Sequence, residues 1–155
     1  ASCAELLALL SALAAVPLAQ GLAVTGSLNA GGLVLPVGGI NEKVEGFFRS
    51  CERVGLDGTQ GVLIPERNRR HLMLDERVVE AVAQGRFHVH AIGTVAEAMT
   101  LLSGLPWGEP GPSGYPAASV LGRAQTRLRR YRLAVDATGS HHEQPVHKRR
   151  PLAGH

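Results

Sequence analysis

The chain has 155 residues, of which 45% are hydrophobic, 19% charged and 4% aromatic, and its formal net charge is +3. This length suits one domain with a buried core and excludes two large domains, and the hydrophobic fraction excludes a wholly disordered chain. Nineteen Gly and nine Pro without a strict period exclude collagen and predict many turns. The two cysteines, Cys3 and Cys51, are too few for a disulfide framework, so we expect reduced thiols and a cytoplasmic protein.

Charge divides the chain into two unequal parts. Residues 1–104 carry eight basic and ten acidic side chains, whereas residues 105–155 carry eight and three. The basic character therefore belongs to the C-terminal third. The apolar opening lacks a basic leading region and contains Glu5, so we do not interpret it as a signal peptide. Pro17 and Gly21 interrupt the longest apolar stretch, so we expect no membrane span.

The first half of the chain predicts two helices around a hairpin. Leucines at helical spacing predict a buried first helix, which Pro17 ends. The turn cluster Asn29–Gly32 predicts that the strands on either side of it pair with each other. Asn41 is a typical N-cap residue for the second helix. The predicted elements are a helix over 3–16, strands over 22–26 and 33–37, and a helix over 42–53.

The second half of residues 1–104 alternates strands and helices with short connections. We expect Asp75 and Thr94 to cap the two helices. The predicted elements are a strand over 61–65, a helical turn over 67–72, a helix over 75–83, a strand over 87–92 and a helix over 95–102. This alternation predicts an α/β (α+β) domain over 1–104, in which helices pack a hairpin and a short sheet.

The remaining residues are predicted to form an extension with little core of its own. Residues 105–117 are rich in Pro and Gly and are predicted to be a linker, 118–135 a basic helix, and 136–155 a disordered tail. The arginines of the basic helix have the charge needed to contact nucleic-acid phosphates. We favour instead a solvated helix that faces an acidic partner.

The chemistry of the chain centres on Lys43, in the segment GGINEK. A lysine in the first turn of a helix faces the positive end of the macrodipole, which disfavours the ammonium form. A neutral lysine is a general base, and Ser-Lys pairs replace Ser-His-Asp triads in some hydrolases. By spacing alone, Lys43 is better described as a solvated lysine on an amphipathic helix.

Several segments in register resemble the proteolytic domain of the Lon protease family over residues 1–104. Thr25-Gly26 and the segment PVGGINEK, residues 36–43, match the family's Thr-Gly and its P-[IV]-GG-x-x-EK pattern in order and spacing. GVLIPERNRRHLM, residues 61–73, resembles the family's VLIP-x-x-N segment. The resemblance implies that Lys43 is the general base and that Thr25 hydrogen-bonds the lysine and holds its rotamer.

The resemblance also implies where the nucleophile lies. The family serine belongs to a (D/G/P)-S-A-(G/S) motif, and Ala1-Ser2 is similar to the last two residues of that motif. The family's serine-to-lysine interval then places the nucleophile one position before Ala1, outside this chain. We do not expect Ser2 to replace it, because a shift of two residues at a helix start turns a side chain by roughly 200°. The resemblance therefore implies a chain that begins just after the serine and is inactive by itself.

The implied function is a serine endopeptidase that acts on protein or peptide substrates. Family members are commonly ATP-dependent hexamers, but no G-x-x-x-x-G-K-[ST] run occurs here, so ATP and Mg²⁺ are implied only for an ATPase module elsewhere in the longer protein. We expect no cofactor or metal in this chain. The alternative is a non-catalytic oligomerisation module whose basic tail binds acidic partners.

Other reactive side chains give weaker signals. His88 and His90 share one strand face, as metal pairs do, but no third ligand has suitable local spacing, so we expect an ordinary sheet face. Cys3 lies near a helix N-terminus, which favours a thiolate. Cys51 falls on the apolar stripe of its helix and is expected to be a core residue.

Overall fold

The computed structural model describes residues 2–139, with side chains through residue 137. The helices are α1 Ser2–Ala14, α2 Ile40–Val54, α3 Glu76–Ala83, α4 Val95–Ser103 and α5 Val120–Gly139, with a 3-10 helix at Glu66–His71. The strands are β1 Leu22–Val24, β2 Ser27–Leu28, β3 Val34–Leu35, β4 Gly61–Pro65 and β5 His88–Ile92. The predicted α/β class, with a hairpin and a short sheet packed by helices, is confirmed.

A parallel three-stranded sheet in the order β1-β4-β5 forms the centre of the domain. Every residue of β4 is buried, because it is the middle strand and both faces are covered. Leu63 faces a core that it shares with α1, α4 and the start of α5. Val62 and Ile64 face a second core, shared with α2 and α3. The domain is therefore a sheet between two helical layers.

The predicted hairpin exists, but the prediction that residues 22–26 form its first strand is wrong. β1 pairs in parallel with β4, with Leu22 opposite Gly61, and only the two residues of β2 pair with β3. The chain leaves the central sheet at Thr25 and Gly26 and then turns into the hairpin. Apolar residues in β1 bury more surface in the central sheet than a two-stranded hairpin offers, and burial drives the pairing.

Two predicted helix boundaries differ from the structure. α1 ends at Ala14 rather than Val16, because Ala15 adopts a left-handed conformation at φ 51° and Val16 N–H bonds back to the Ser11 carbonyl. α2 begins after Gly39, which has no side-chain cap, so the prediction of Asn41 as N-cap is wrong. By contrast, Asp75 caps α3 and Thr94 forms a capping box with Glu97 at α4, as predicted.

The C-terminal extension packs onto the domain at its near end only. Val120 and Ala124 of α5 are buried in the core beside α1, and Leu105 and Trp107 of the predicted linker pack against the same core. From Leu128 onward the described side chains of α5 are exposed. The helix continues to Gly139, so residues 136–139, predicted to be disordered, are helical. The rest of the predicted tail lies outside the described residues.

None of the helices described between residues 2 and 139 combines the length and the apolar character needed to cross a membrane.

Candidate active site

Thr25, one of the two predicted site residues, lies at the carboxyl edge of the parallel sheet. Thr25 directly follows β1, and its backbone N–H donates to the Leu63 carbonyl of β4 at 3.0 Å. Asn68 lies in the 3-10 helix that follows β4. Crevices beyond the carboxyl ends of parallel strands are the usual binding sites of open α/β sheets.

The amino end of α1 reaches the same edge. Cys3 N–H donates to the Gly26 carbonyl at 3.4 Å. A Cβ at position 26 would lie only 2.8 Å from Val34 Cγ1, so the close approach of β3 favours glycine, whereas 3.5 Å from Cys3 Cβ is an ordinary contact. Thr25 is thereby held next to the start of α1, where the resemblance expects the nucleophile to enter the fold.

Ser2 has a partner on the hairpin. Its Oγ accepts a hydrogen bond from Leu28 N–H at 2.9 Å. This bond ties the first residue of α1 to β2 and gives the Ser2 hydroxyl a structural function. That Ser2 does not serve as nucleophile stays a prediction.

Lys43 lies at the exposed entrance of α2. The backbone turns at Gly39, whose φ of 64° and ψ of 38° are left-handed, a conformation that glycine adopts without strain. Lys43 N–H closes the first helical turn on the Gly39 carbonyl at 3.1 Å. Its side chain bends back over the same turn, and Nζ donates to the Gly38 carbonyl at 2.6 Å.

The hydrogen bond implied between Thr25 and Lys43 is not formed in the part of the chain that the structure describes. The Lys43 amine is bonded instead to a carbonyl only five residues away. The physical reason is local: a long, exposed side chain reaches a carbonyl just before its own helix with little loss of freedom.

Asn68 holds the segment that leads to Lys43, and the sequence analysis assigned it no role. Its side chain is only 4% exposed. Oδ1 accepts from Val37 N–H, and Nδ2 donates to the Val37 carbonyl, both at 2.9 Å. The signal in the sequence was a polar residue three positions after a buried strand, in the VLIP-x-x-N segment.

Asn41 makes a second long-range contact at the same helix entrance. Its Oδ1 accepts from Met73 N–H at 2.8 Å and its Nδ2 donates to the His71 carbonyl at 3.3 Å. The side chain that was expected to cap α2 therefore joins the helix to the segment after the 3-10 helix. This use explains why the N-cap position falls to Gly39.

The cysteines and the histidine pair do not add to this site. Burial raises the pKa of the Cys3 thiol, so the thiolate expected at the helix N-terminus is not favoured. Cys51 is buried in the second core, as predicted. His88 and His90 stack with ring centroids 5.9 Å apart, and His88 Nε2 lies 2.8 Å from the Gly58 carbonyl. Residues 2–137 contain no group of three His, Cys, Asp or Glu side chains able to hold a metal.

Comparison with known proteins identifies a family. Residues 1–103 match the sequence profile of the Lon protease (S16) C-terminal proteolytic domain. That range includes all five strands and the first four helices, and it ends where the C-terminal extension begins.

Two bacterial relatives are similar over about two thirds of the chain. A putative Lon protease homolog of Escherichia coli is 51% identical over 107 residues, which are 69% of this chain and 18% of the relative. A putative Lon protease homolog of Haemophilus influenzae is 46% identical over 104 residues, or 67% of this chain and 17% of the relative. An archaeal Lon protease of Halobacterium salinarum is 41% identical over 76 residues. The chain thus spans less than a fifth of the length of these relatives.

Proposed function

This chain belongs to the Lon protease (S16) C-terminal proteolytic domain family, and on that premise we propose that it forms the peptide-hydrolysing domain of a serine endopeptidase. The observation that carries the proposal is a pair of contacts beyond the carboxyl ends of the strands: the start of α1 bonds to Gly26 beside Thr25, and Asn68, which follows β4, binds Val37 on the approach to Lys43. Protein and peptide chains are the proposed substrates.

Each residue has a proposed chemical role. A serine directly before Ala1 attacks the peptide carbonyl, and the amine half of the substrate leaves as the acyl-enzyme ester forms. Lys43 takes the proton of that serine and passes it to the leaving amine. Neutral again, it takes a proton from the water that hydrolyses the ester and returns it to the serine. Thr25 supports Lys43 by accepting a hydrogen bond from the amine once the amine leaves the Gly38 carbonyl. Backbone N–H groups near the serine stabilise the oxyanion.

The structure supports these roles through position and access. Cys3 N–H bonds to Gly26 O, so the described start of α1 lies beside Thr25, which supports a nucleophile just upstream of this helix. Lys43 is exposed, and its amine is bound only to a carbonyl of its own turn. A small rotation about the lysine side chain moves the amine without disturbing the core, because its contact is local.

The test is peptide hydrolysis by the chain extended through its natural upstream residues. Lys43→Ala and Lys43→Arg are both expected to lower kcat by about 10²- to 10⁴-fold, the usual contribution of a general base. Arginine keeps the positive charge but does not deprotonate, so a loss of activity in Lys43→Arg shows that the site needs a base and not only a cation. The matched control is Lys148→Arg, which changes the chain's other lysine and is expected to leave the rate unchanged.

A serine-directed fluorophosphonate identifies the nucleophile independently of the substrate. We expect mass spectrometry to find the label on the residue before Ala1, and not on Ser2. A label on Ser2 would reassign the nucleophile. An extended chain that neither takes the label nor cleaves peptides would support the alternative, a non-catalytic oligomerisation module with a basic tail for acidic partners.

The wider properties of the longer protein follow from the family. We propose that an ATPase module elsewhere in it uses ATP and Mg²⁺, that this chain itself needs no cofactor, and that the protein assembles as a homo-oligomer, a hexamer by family resemblance. The free, buried thiols of Cys3 and Cys51 support the proposed cytoplasmic location.

Deleting residues 118–155 tests whether the basic extension binds nucleic acid. Binding through phosphate contacts would weaken steeply with salt and would be lost in the deletion variant.

A further inference from the structure

Asn68 is one of two buried polar or charged residues among those that the structure describes, the other being Ser119. A carboxamide withdrawn from water destabilises the fold unless its donors and acceptor find partners. Both ends of the Asn68 side chain are paired with a single residue, Val37, which lies 31 positions earlier. The carboxamide thus pairs with the N–H and the carbonyl of Val37 as a neighbouring β-strand would, although Val37 belongs to no strand.

The position of Val37 gives this contact its consequence. Val37 is followed by Gly38, whose carbonyl accepts the Lys43 amine at 2.6 Å, and then by Gly39, where the left-handed turn begins α2. A Cβ placed on Gly38 would meet nothing within 4 Å, so the space where its side chain would point is open. Asn68 holds the backbone that receives the amine from its upstream side, and the hydrogen bonds of Asn41 hold the helix that follows it.

We propose that Asn68 is a positioning residue, which fixes the Val37–Gly38 backbone and through the Gly38 carbonyl sets where the Lys43 amine rests. This inference deepens the proposed function and rests on it for its catalytic meaning. The placement itself is a property of this chain. A buried, doubly bonded carboxamide is stiff, and an exposed lysine is not, so the stiff group determines the resting place of the flexible one.

The placement is measurable without catalysis, because the chain contains two lysines, Lys43 and Lys148. Protein labelled with [13C]lysine gives two Cε resonances, and Lys148→Arg assigns them. We expect Asn68→Ala and Asn68→Asp to move the Lys43 resonance most of the way to that of lysine in a short peptide. Asn68→Asp keeps the volume and the Oδ1 acceptor but loses the donor to the Val37 carbonyl.

Ser119→Ala is the matched control. Ser119 is also buried, and its hydroxyl donates to the Pro116 carbonyl and accepts from Gly122 N–H at the start of α5. Its loss removes a buried hydrogen-bonded side chain far along the chain from Lys43, so the Lys43 resonance is expected to stay in place. An equal movement in Ser119→Ala would overturn the proposal, since it would report general loosening. An unmoved resonance in folded Asn68 variants would overturn it too.

A measurement on the unaltered chain covers the case in which both Asn68 variants unfold. The Asn68 side-chain N–H and the Val37 backbone N–H are expected to exchange slowly with deuterium, as protected donors do. Rapid exchange of both in the folded protein would contradict the proposal.

The catalytic consequence is tested in the extended chain. Asn68→Asp is expected to lower kcat by roughly tenfold to a hundredfold, with KM changed little, because a displaced Val37–Gly38 backbone shifts the helix entrance from which Lys43 reaches the serine. Ser119→Ala is expected to change neither. If the extended chain cleaves no peptide, the proposed function fails while the lysine resonances still decide the placement. If it cleaves peptides and Asn68→Asp keeps kcat, the positioning inference alone fails.

Discussion

At the scale of single residues, the backbone around Lys43 depends on two adjacent glycines with different duties. Gly39 has a φ of 64°, a conformation that residues with a Cβ adopt only with strain. Gly38 is not among the described glycines that have a positive φ. A Cβ at Gly39 would lie 3.5 Å from Lys43 Nζ, an ordinary contact. The requirement for glycine at position 39 is therefore conformational rather than steric.

Gly39→Ala is expected to lower the free energy of unfolding by about 1 kcal/mol, the usual cost of a left-handed L-residue. Chemical denaturation of the present chain measures it. Gly38→Ala is the matched control and is expected to be neutral or slightly stabilising, because it only restricts the unfolded chain. Equal losses in the two variants would mean that the turn at Gly39 is not left-handed in solution.

At the scale of elements, α5 joins the fold through one end. Val120 is fully buried and Ala124 is 4% exposed, whereas Val135, on the same helix, is 67% exposed. The burial comes from contact with α1, the element against which α5 packs most extensively. The N-terminal end of α5 is therefore part of the first core, and the described C-terminal end is basic and exposed to solvent.

Val120→Ala is expected to lower the free energy of unfolding by about 2 kcal/mol, from two lost buried carbons and the space that they leave. Val135→Ala makes the same chemical change in an exposed turn and is expected to be neutral or slightly stabilising, because alanine has the higher helix propensity. Thermal and urea unfolding measure both. Matching effects at the two positions would show that α5 does not dock on α1 in solution.

At the scale of the whole molecule, the sheet has an edge that carries a titratable pair. β5 pairs with β4 on one side only, and His88 and His90 stack on it. Partial burial lowers the pKa of His90 below its ordinary value, and the charge of His88 lowers it further. Arg69 lines the same cavity as His90 and adds a positive charge there. The folded state therefore prefers neutral His90.

Global stability is expected to fall as pH drops below the ordinary imidazole pKa of about 6.5. Because the pKa of His90 is lower in the folded state, the unfolded chain takes up the proton first as pH falls. The stabilisation from neutral His90 is therefore complete above the ordinary imidazole pKa and is lost as pH falls through the folded value. Urea unfolding at a series of pH values chosen between 7.5 and 5 measures how the free energy of unfolding changes with pH. His90→Gln is expected to flatten it, and an unchanged slope in that variant would assign the loss to other groups.

Local chemistry was sufficient for most elements. Asp75 and Thr94 cap helices that begin where the sequence predicts, because a cap is a contact between neighbours in the chain. β4 was predicted with its observed bounds, because a short apolar run between turn residues has few other uses. Asn41 was misread, since a side chain suited to capping also suits a long-range bond.

The amino-acid sequence by itself determined the α/β class, the family and the presence of Lys43 at a helix entrance, because periodicity, capping and motif spacing are properties of neighbouring residues. Only the tertiary structure decided that β1 pairs with β4, that Gly26 meets the start of α1 and that Asn68 holds Val37. These are contacts between distant segments. They depend on which apolar faces are buried together, and the spacing of residues along the chain does not specify that choice.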